Sequence, residues 1–368
     1  MWKKSLAIAS FITNALSAME APEIHLGAHS TFTAGSSNLN EGLVANHAHD
    51  PNDEFTFQGL ELGAVIKFSD SIKIVSTYNA FLDDADRLDG EWEDAYLKLD
   101  DLPFSLGLRA GRIYNRTTVQ NNQHLHAWDF VNASLMTTRF LGEEGLLTES
   151  AELTWEIPTL QDNFLHFSYG DAVEHAHEEE EEGDPDEVHG EEAYLTNDIY
   201  TISLTGYYYH DDFNLYHYKA HYSTGTNGYG LDGAIYGGSL QYRWRENGLE
   251  PSGRYFSIGA EWTRRDFDYA SEDLSRSGNA TENGYALSAE YGFNSNWNVA
   301  SRFEYVEGLG TVEESPQINR TSLAITRFFH LSDHVDGHVR LQYDYEDRDE
   351  QDDSNSVWLQ LQFNFGSH

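Results

Sequence analysis

One short, irregular segment of the chain carries two imidazoles, a carboxylate and two large aromatic rings. His124 and His126 are separated by a single residue, and Asp129 follows three residues later. Neutral imidazole and carboxylate are ligands that zinc and other transition metals accept. In the alternative interpretation, Trp128 and Phe130 anchor the segment on a wall of the protein and the histidines only form hydrogen bonds. The spacing alone is compatible with both roles.

The His-x-His spacing occurs twice more in the chain, each time beside carboxylates. One copy precedes an aspartate, and the other lies in a strongly acidic tract over residues 171–192 that holds a third histidine. His-rich tracts bind metal ions, although a run of like charges can also be a merely solvated segment. The candidate ligands in these two places are His47, His49, Asp50, His175, His177 and His189.

The overall charge limits the partners that this chain can attract. Its 62 acidic and 22 basic residues give a formal net charge of −40, which repels nucleic acid and attracts cations. The chain has no cysteine, so thiolate metal sites and cysteine nucleophiles are excluded. It also lacks the sequence motifs of phosphate-binding loops, zinc proteases and serine hydrolases. We therefore do not expect an enzyme.

The N-terminus has the three parts of a secretory signal peptide. Lys3 and Lys4 precede a short apolar run, and small residues follow it. We predict that residues 1–18 are removed on export and that residues 19–368 form a single domain. The apolar run is too short to span a membrane, so the exported chain is expected to have no helical anchor.

Period-two alternation of apolar and polar residues recurs along the chain and predicts β-strands. Most of the alternating segments are longer than strands of soluble proteins and match the roughly 9–11 residues that cross a bilayer. About sixteen segments follow this pattern: 24–35, 55–68, 71–82, 90–100, 103–114, 147–158, 162–171, 197–209, 212–223, 231–245, 254–266, 282–294, 296–308, 316–330, 333–347 and 354–366.

The connections between these segments alternate between short and long. Outer-membrane barrels combine short periplasmic turns with longer outer loops, whereas a soluble β-sandwich has no reason to keep that order. We therefore predict an all-β, transmembrane antiparallel β-barrel of about 16 strands in the outer membrane of a Gram-negative bacterium. A closed sheet leaves no unpaired edge, which also explains how an exported chain can be stable without disulfides.

In this layout, residues 115–146 form the third outer loop, and residues 172–196 form an acidic, His-rich outer loop. The third loop is long enough to fold into the barrel and constrict it, and Trp128 and Phe130 are expected at the constriction. Charged residues on the lumen face would set the ion selectivity of such a pore. The charged residues expected there include Arg109, Arg112, Glu61, Asp94, Glu152, Glu304 and Asp344.

The region around this loop resembles a bacterial family of porin-like proteins labelled zinc-regulated outer-membrane receptors. The resemblance covers residues 104–142 and lies in Leu106–Arg112, in the Asn-Gln-His-x-His-x-Trp-Asp-Phe pattern of Asn122–Phe130, and in Phe140–Gly142. It implies an outer-membrane channel that is made when zinc is scarce. Members are often labelled TonB-dependent, but only about 5 residues separate the signal peptide from the first strand, which is too few for a plug domain. Coupling to TonB is therefore not expected.

These observations lead to one preferred function and two alternatives. The preferred function is a porin-like channel that takes up zinc or another divalent cation, with His, Asp and Glu residues of the loops gathering the ion. No cofactor is required, and zinc is the transported or bound ion. The alternatives are a general or anion-preferring porin for another small solute and a surface barrel without transport. The lipid bilayer is a partner in each case, and a homo-oligomer is compatible with all three.

Overall fold

The computed structural model describes residues 21–38, 55–82, 87–142, 145–159, 161–173, 193–250, 252–271, 277–309, 316–349 and 353–366. The predicted signal peptide, the His47 to Asp50 segment and the acidic segment with His175, His177 and His189 lie outside these residues. No helix among the described residues is long and apolar enough to cross a membrane.

Sixteen antiparallel strands form a closed barrel in which every strand pairs with its neighbours in sequence and β1 pairs with β16. The strands are β1 Glu23–Ser37, β2 Phe55–Ser69, β3 Ile72–Leu82, β4 Leu88–Leu102, β5 Leu106–Tyr114, β6 Leu147–Glu156, β7 Asp162–Ala172, β8 Leu195–Tyr209, β9 Asn214–Asn227, β10 Asp232–Arg245, β11 Tyr255–Ala270, β12 Ser277–Asn294, β13 Trp297–Val306, β14 Ile318–Ser332, β15 Val335–Arg348 and β16 Ser354–Gly366. The predicted fold class and strand number are confirmed.

The outer surface of the barrel is apolar and its inner surface is polar. On β16, Val357 and Leu359 are exposed on the outside, whereas Gln360 and Gln362 are buried on the inside. A water-soluble sandwich would bury the apolar set instead. The reversed distribution fits a barrel that is surrounded by lipid and encloses water.

This arrangement predicts a depth-dependent cost for charges on the outer surface. Replacing Leu359, in the middle of β16, by arginine should destabilise the barrel by about 2–4 kcal/mol, because the guanidinium would lie near the bilayer midplane. The matched change Leu331→Arg, near the end of β14, should cost about 1 kcal/mol or less. Urea unfolding in lipid vesicles measures both values. Equal costs would contradict the membrane position assigned to these strands.

The connection between β5 and β6, residues 115–146, folds into the barrel as predicted. It contains two 3₁₀ turns, Gln120–Asn122 and Leu125–Ala127, and a short helix α1, Leu135–Leu141. Leu135, Met136 and Phe140 of α1 are fully buried in an apolar cluster with wall residues, which include Ile199, Ile235 and Val306. Burial of this apolar surface holds the constriction loop inside the barrel.

Candidate metal-binding site at the constriction

His124 lies between two carboxylates of β4. Its Nδ1 is 2.7 Å from Glu93 Oε2, and its Nε2 is 3.1 Å from Asp94 Oδ2. Two consecutive strand residues normally face opposite sides of a sheet. Here the pairing of β3 with β4 shifts at Thr77/Tyr78, and this irregularity allows Glu93 and Asp94 both to be buried against the lumen.

Glu61 of β2 connects the two histidines of the loop. Its Oε2 accepts a hydrogen bond of 3.0 Å from the backbone N–H of His126 and lies 3.0 Å from His126 Nδ1. Its Oε1 is 3.9 Å from His124 Nδ1. One ligand atom from each of Glu61, Glu93 and His124 lies within 4.8 Å of the other two. We call Glu61, Glu93, Asp94, His124 and His126 the acid–histidine cluster.

A third histidine, His29 of β1, extends this cluster along the wall. Its ring stacks on His126 with centroids 3.8 Å apart, and the ring of His126 is parallel to that of His124 at 5.9 Å. His29 Nδ1 is 2.9 Å from Asn364 Oδ1 of β16. The stack therefore links the seam where the barrel closes to the tip of the constriction loop.

The electrostatics of the cluster favour a cation. Burial lowers the pKa of His124, but its hydrogen bonds to Asp94 and Glu93 outweigh this effect and raise the pKa well above its usual value. Two buried carboxylate oxygens, Glu61 Oε1 and Asp94 Oδ1, accept no hydrogen bond from the described residues. Buried carboxylate oxygens without a donor are costly unless a positive charge lies nearby, and here that charge is either the protonated His124 or a bound cation that displaces its proton. Imidazole and carboxylate together are a donor set suited to Zn²⁺ and similar ions.

Asp129, which the sequence groups with the two histidines, lies elsewhere. Its carboxylate lies in the field of Arg340, Arg243 and Arg302 and not beside His124 or His126. Of the three residues predicted as one metal site, the structure therefore brings together the two histidines only. Glu61, Glu93 and Asp94 supply the carboxylates in place of Asp129.

The rest of the loop is bound to strands β13 to β15, which adjoin β1 through β16. Arg340 Nη2 donates to Trp128 O at 2.8 Å, and Gln342 Oε1 accepts from Val131 N at 2.7 Å. Arg302 donates to Asn132 Oδ1 at 2.6 Å, and its guanidinium lies over the ring of Phe130. We call these contacts, with those of Arg320, Glu304 and Asp344 described next, the loop clamp.

Glu304 is the centre of the loop clamp. Its Oε1 accepts a hydrogen bond of 3.0 Å from Leu135 N at the start of α1. Its Oε2 lies 2.9 Å from Arg320 Nε and 3.0 Å from Arg302 Nε. Asp344 accepts a bond of 3.3 Å from Asn132 Nδ2. Glu304 and Asp344, predicted as pore-lining acids, are thus buried beneath the loop. Trp128 and Phe130, which belong to the loop itself, are buried within it.

The remaining predicted pore residues lie on β5 and β6. Arg109 and Arg116 both contact Glu152, at 2.9 Å and 3.1 Å. Arg112 instead lies 3.6 Å from Glu149, whose side chain is 71% exposed. Side chains alternate along β5, and Arg109 is on the inner face of the barrel. Arg112, three residues later, is therefore on the outer face. Arg112 is therefore not part of the constriction.

Comparison with protein-family models gives no match. One relative by sequence, an uncharacterized protein of Aquifex aeolicus (strain VF5), is 27% identical over 147 residues. The match covers 39% of this chain and 26% of the relative, so this chain matches about a quarter of that protein's length. The resemblance to zinc-regulated receptors therefore remains a hypothesis.

Solved structures give a closer comparison of fold. The loop L8 deletion mutant of OmpT, an outer membrane protein of Vibrio cholerae, has a TM-score of 0.57 at 11% identity, over 94% of this chain and all of that one. The trimer form of in-vitro folded OmpT has a TM-score of 0.55 at 10% identity, with the same coverage. The outer membrane channel DcaP of Acinetobacter baumannii has a TM-score of 0.56 at 11% identity, over 94% and 97% of the two chains. The chain has the fold of porin-like barrels of the Gram-negative outer membrane.

Proposed function

We propose that this protein is a passive outer-membrane channel for divalent cations, and that Zn²⁺ or a similar ion binds transiently to the acid–histidine cluster during passage. The observation that carries this proposal is the pair of unbonded, buried carboxylate oxygens of Glu61 and Asp94 beside His124. The resemblance to zinc-regulated receptors supports the same ion.

The position of the cluster suits a channel. It lies where the constriction loop meets strands β1, β2 and β4, so an ion in the narrowed lumen passes close to it. Carboxylates concentrate cations in a cleft with low-dielectric walls. Conduction requires binding that is strong enough for entry and weak enough for release. Three carboxylates attract the ion, and the imidazoles favour borderline metals such as zinc over Mg²⁺.

Current measurements in planar lipid bilayers test this proposal. In a KCl gradient, the reversal potential should indicate preference for cations, and micromolar-range Zn²⁺ should reduce the K⁺ current by occupying the cluster. Mg²⁺ at the same concentration is the control and should have a much weaker effect. A preference for anions that persists with and without Zn²⁺ would overturn the proposal.

The second candidate is an anion-preferring porin, and it rests on Arg109 and Arg116. These two guanidinium groups share the single carboxylate of Glu152 and leave one positive charge in excess on that wall. Against it, Arg302, Arg320 and Arg340 bind the constriction loop and are buried. Anion selectivity in the same gradient would favour this candidate. A folded barrel without current would favour a non-transporting surface protein.

A trimer, by analogy with the trimer form of OmpT, is an open proposal for any of these functions.

A further inference from the structure

Four basic residues form a continuous row on the inner wall of strands β2 to β5. Lys67 is paired in register with Lys73, Lys73 with Lys98, and Lys98 with Arg109. Their neighbours in sequence, which include Ile74 and Leu97, are exposed on the outer surface, so the basic side chains face the lumen. We call these four residues the basic row.

The basic row lies on the same strands as the acid–histidine cluster but nearer the short turns. From Glu61 to Lys67 along β2 is about 20 Å, and from Asp94 to Lys98 along β4 about 13 Å, at roughly 3.3 Å per residue. Lys67 is close to the end of β2, at the short turn that leads into β3. In barrels of this class the short turns face the periplasm. The wall is therefore acidic at the constriction and basic towards the periplasm.

The acidic partners of the basic row do not neutralise it. Lys73 and Lys98 share the one carboxylate of Asp100, at 3.2 Å and 3.1 Å. Arg109 shares Glu152 with Arg116, as described above.

Neither the pair formed by Lys67 and Glu23 nor the opposite wall of the barrel removes this positive excess. Lys67 lies 3.8 Å from Glu23, whose side chain is 64% exposed and therefore well screened by solvent. Across the lumen, the Arg243 guanidinium lies in the field of the carboxylates of Glu290 and Asp129, so it adds little to the positive charge. The positive excess of the basic row thus remains on the wall formed by β2 to β5.

We propose that the pore holds two charge filters of opposite sign in series and therefore rectifies ionic current. With the outer side positive, cations enter through the acidic filter and anions through the basic filter, so both accumulate between the two and the conductance is high. With the polarity reversed, each ion first meets the filter of its own sign, and the region between the filters is depleted. This inference rests on the proposed channel but needs no bound metal.

Single-channel recording in symmetric KCl tests the inference. At about 0.1 M salt the Debye length is about 10 Å and the filters act on the passing ions, whereas at about 1 M it is about 3 Å and they are screened. We expect a larger current with the outer side positive at low salt, and a symmetric current at high salt. Proteolysis of outer loops from one side of the bilayer establishes the orientation of the inserted barrel.

The decisive variant is Lys67→Gln with Lys73→Gln and Lys98→Gln, in which the low-salt current should become symmetric. Arg112→Gln, on the outer face, is the matched control and should rectify like the wild type. Lys98→Gln alone should reduce the asymmetry, and it serves if the triple variant does not fold. A symmetric wild-type current at low salt, or rectification unchanged in the variants, would overturn the inference. Absence of any current from folded barrels would instead refute the channel function.

Discussion

Replacing Glu304 by alanine is expected to detach the constriction loop and to raise the single-channel conductance several-fold. The change removes the acceptor of Leu135 N and leaves the buried guanidinium groups of Arg302 and Arg320 without their carboxylate. Loss of one partner from a buried ion pair costs about 3–5 kcal/mol. The loop can recover part of this energy by leaving the wall, because Arg302 and Arg320 then regain water. The closed sheet does not depend on these contacts.

The conductance of the Glu304→Ala protein in planar bilayers, compared with wild type, measures this effect. Glu246→Ala is the matched control, because Glu246 also pairs with an arginine, Arg254 at 2.8 Å, but in an exposed turn. Solvent and salt screen such a pair, so the control should leave conductance unchanged. A folded Glu304→Ala barrel with wild-type conductance would show that the loop clamp does not determine the width of the pore.

The second large effect is expected from His124→Ala, which should weaken zinc block of the current by about 100-fold or more. Loss of a residue that merely orients a metal ligand typically costs 10–100-fold in affinity, and His124 would be a ligand itself. The change also removes the imidazole that lies between Glu93 and Asp94. The zinc concentration that halves the K⁺ current is the quantity to compare.

Two further substitutions test whether the weaker zinc block is specific to the acid–histidine cluster. His210→Ala removes an exposed histidine from the short turn after β8 and should not change zinc block. Asp129→Asn should also have little effect, because Asp129 faces arginines and not the histidines. If the His124→Ala channel is blocked at the same zinc concentration as the wild type, the histidines serve to hold the constriction loop in place. If Asp129→Asn has the larger effect, the site assigned from the structure is wrong.

The sequence was sufficient to predict the barrel because its two strongest signals are local. Period-two alternation, as in β16, identifies strands, and the alternation of long and short connections identifies the membrane class. The inward fold of residues 115–146 followed from the length of the segment. Trp128 and Phe130 are buried within it. These signals lie in the segment itself and in the overall topology, so they are visible in the sequence without knowledge of the distant contacts that hold the loop in place.

The composition of the acid–histidine cluster could not be predicted in the same way. Simple alternation assigns Glu93 to the outer face, and only the irregular pairing of β3 with β4 turns it inward beside Asp94. His29 is far from the loop in sequence and reaches it only because β1 closes the barrel against β16. Asp129 was included because it is near the histidines in sequence. The assignment of Arg112 to the lumen was avoidable, since counting along β5 from Arg109 places it on the outer face.

The loop clamp also has a consequence for the order in which the barrel assembles. The residues of the constriction loop that it holds are separated from their partners on β13 to β15 by up to 212 residues along the chain. Contacts between such distant segments form slowly, because the intervening chain must first lose its conformational freedom. Docking of the loop must therefore wait for the C-terminal strands. An intermediate that lacks them would hold the loop free, and the narrowing of the pore would be among the last steps of folding.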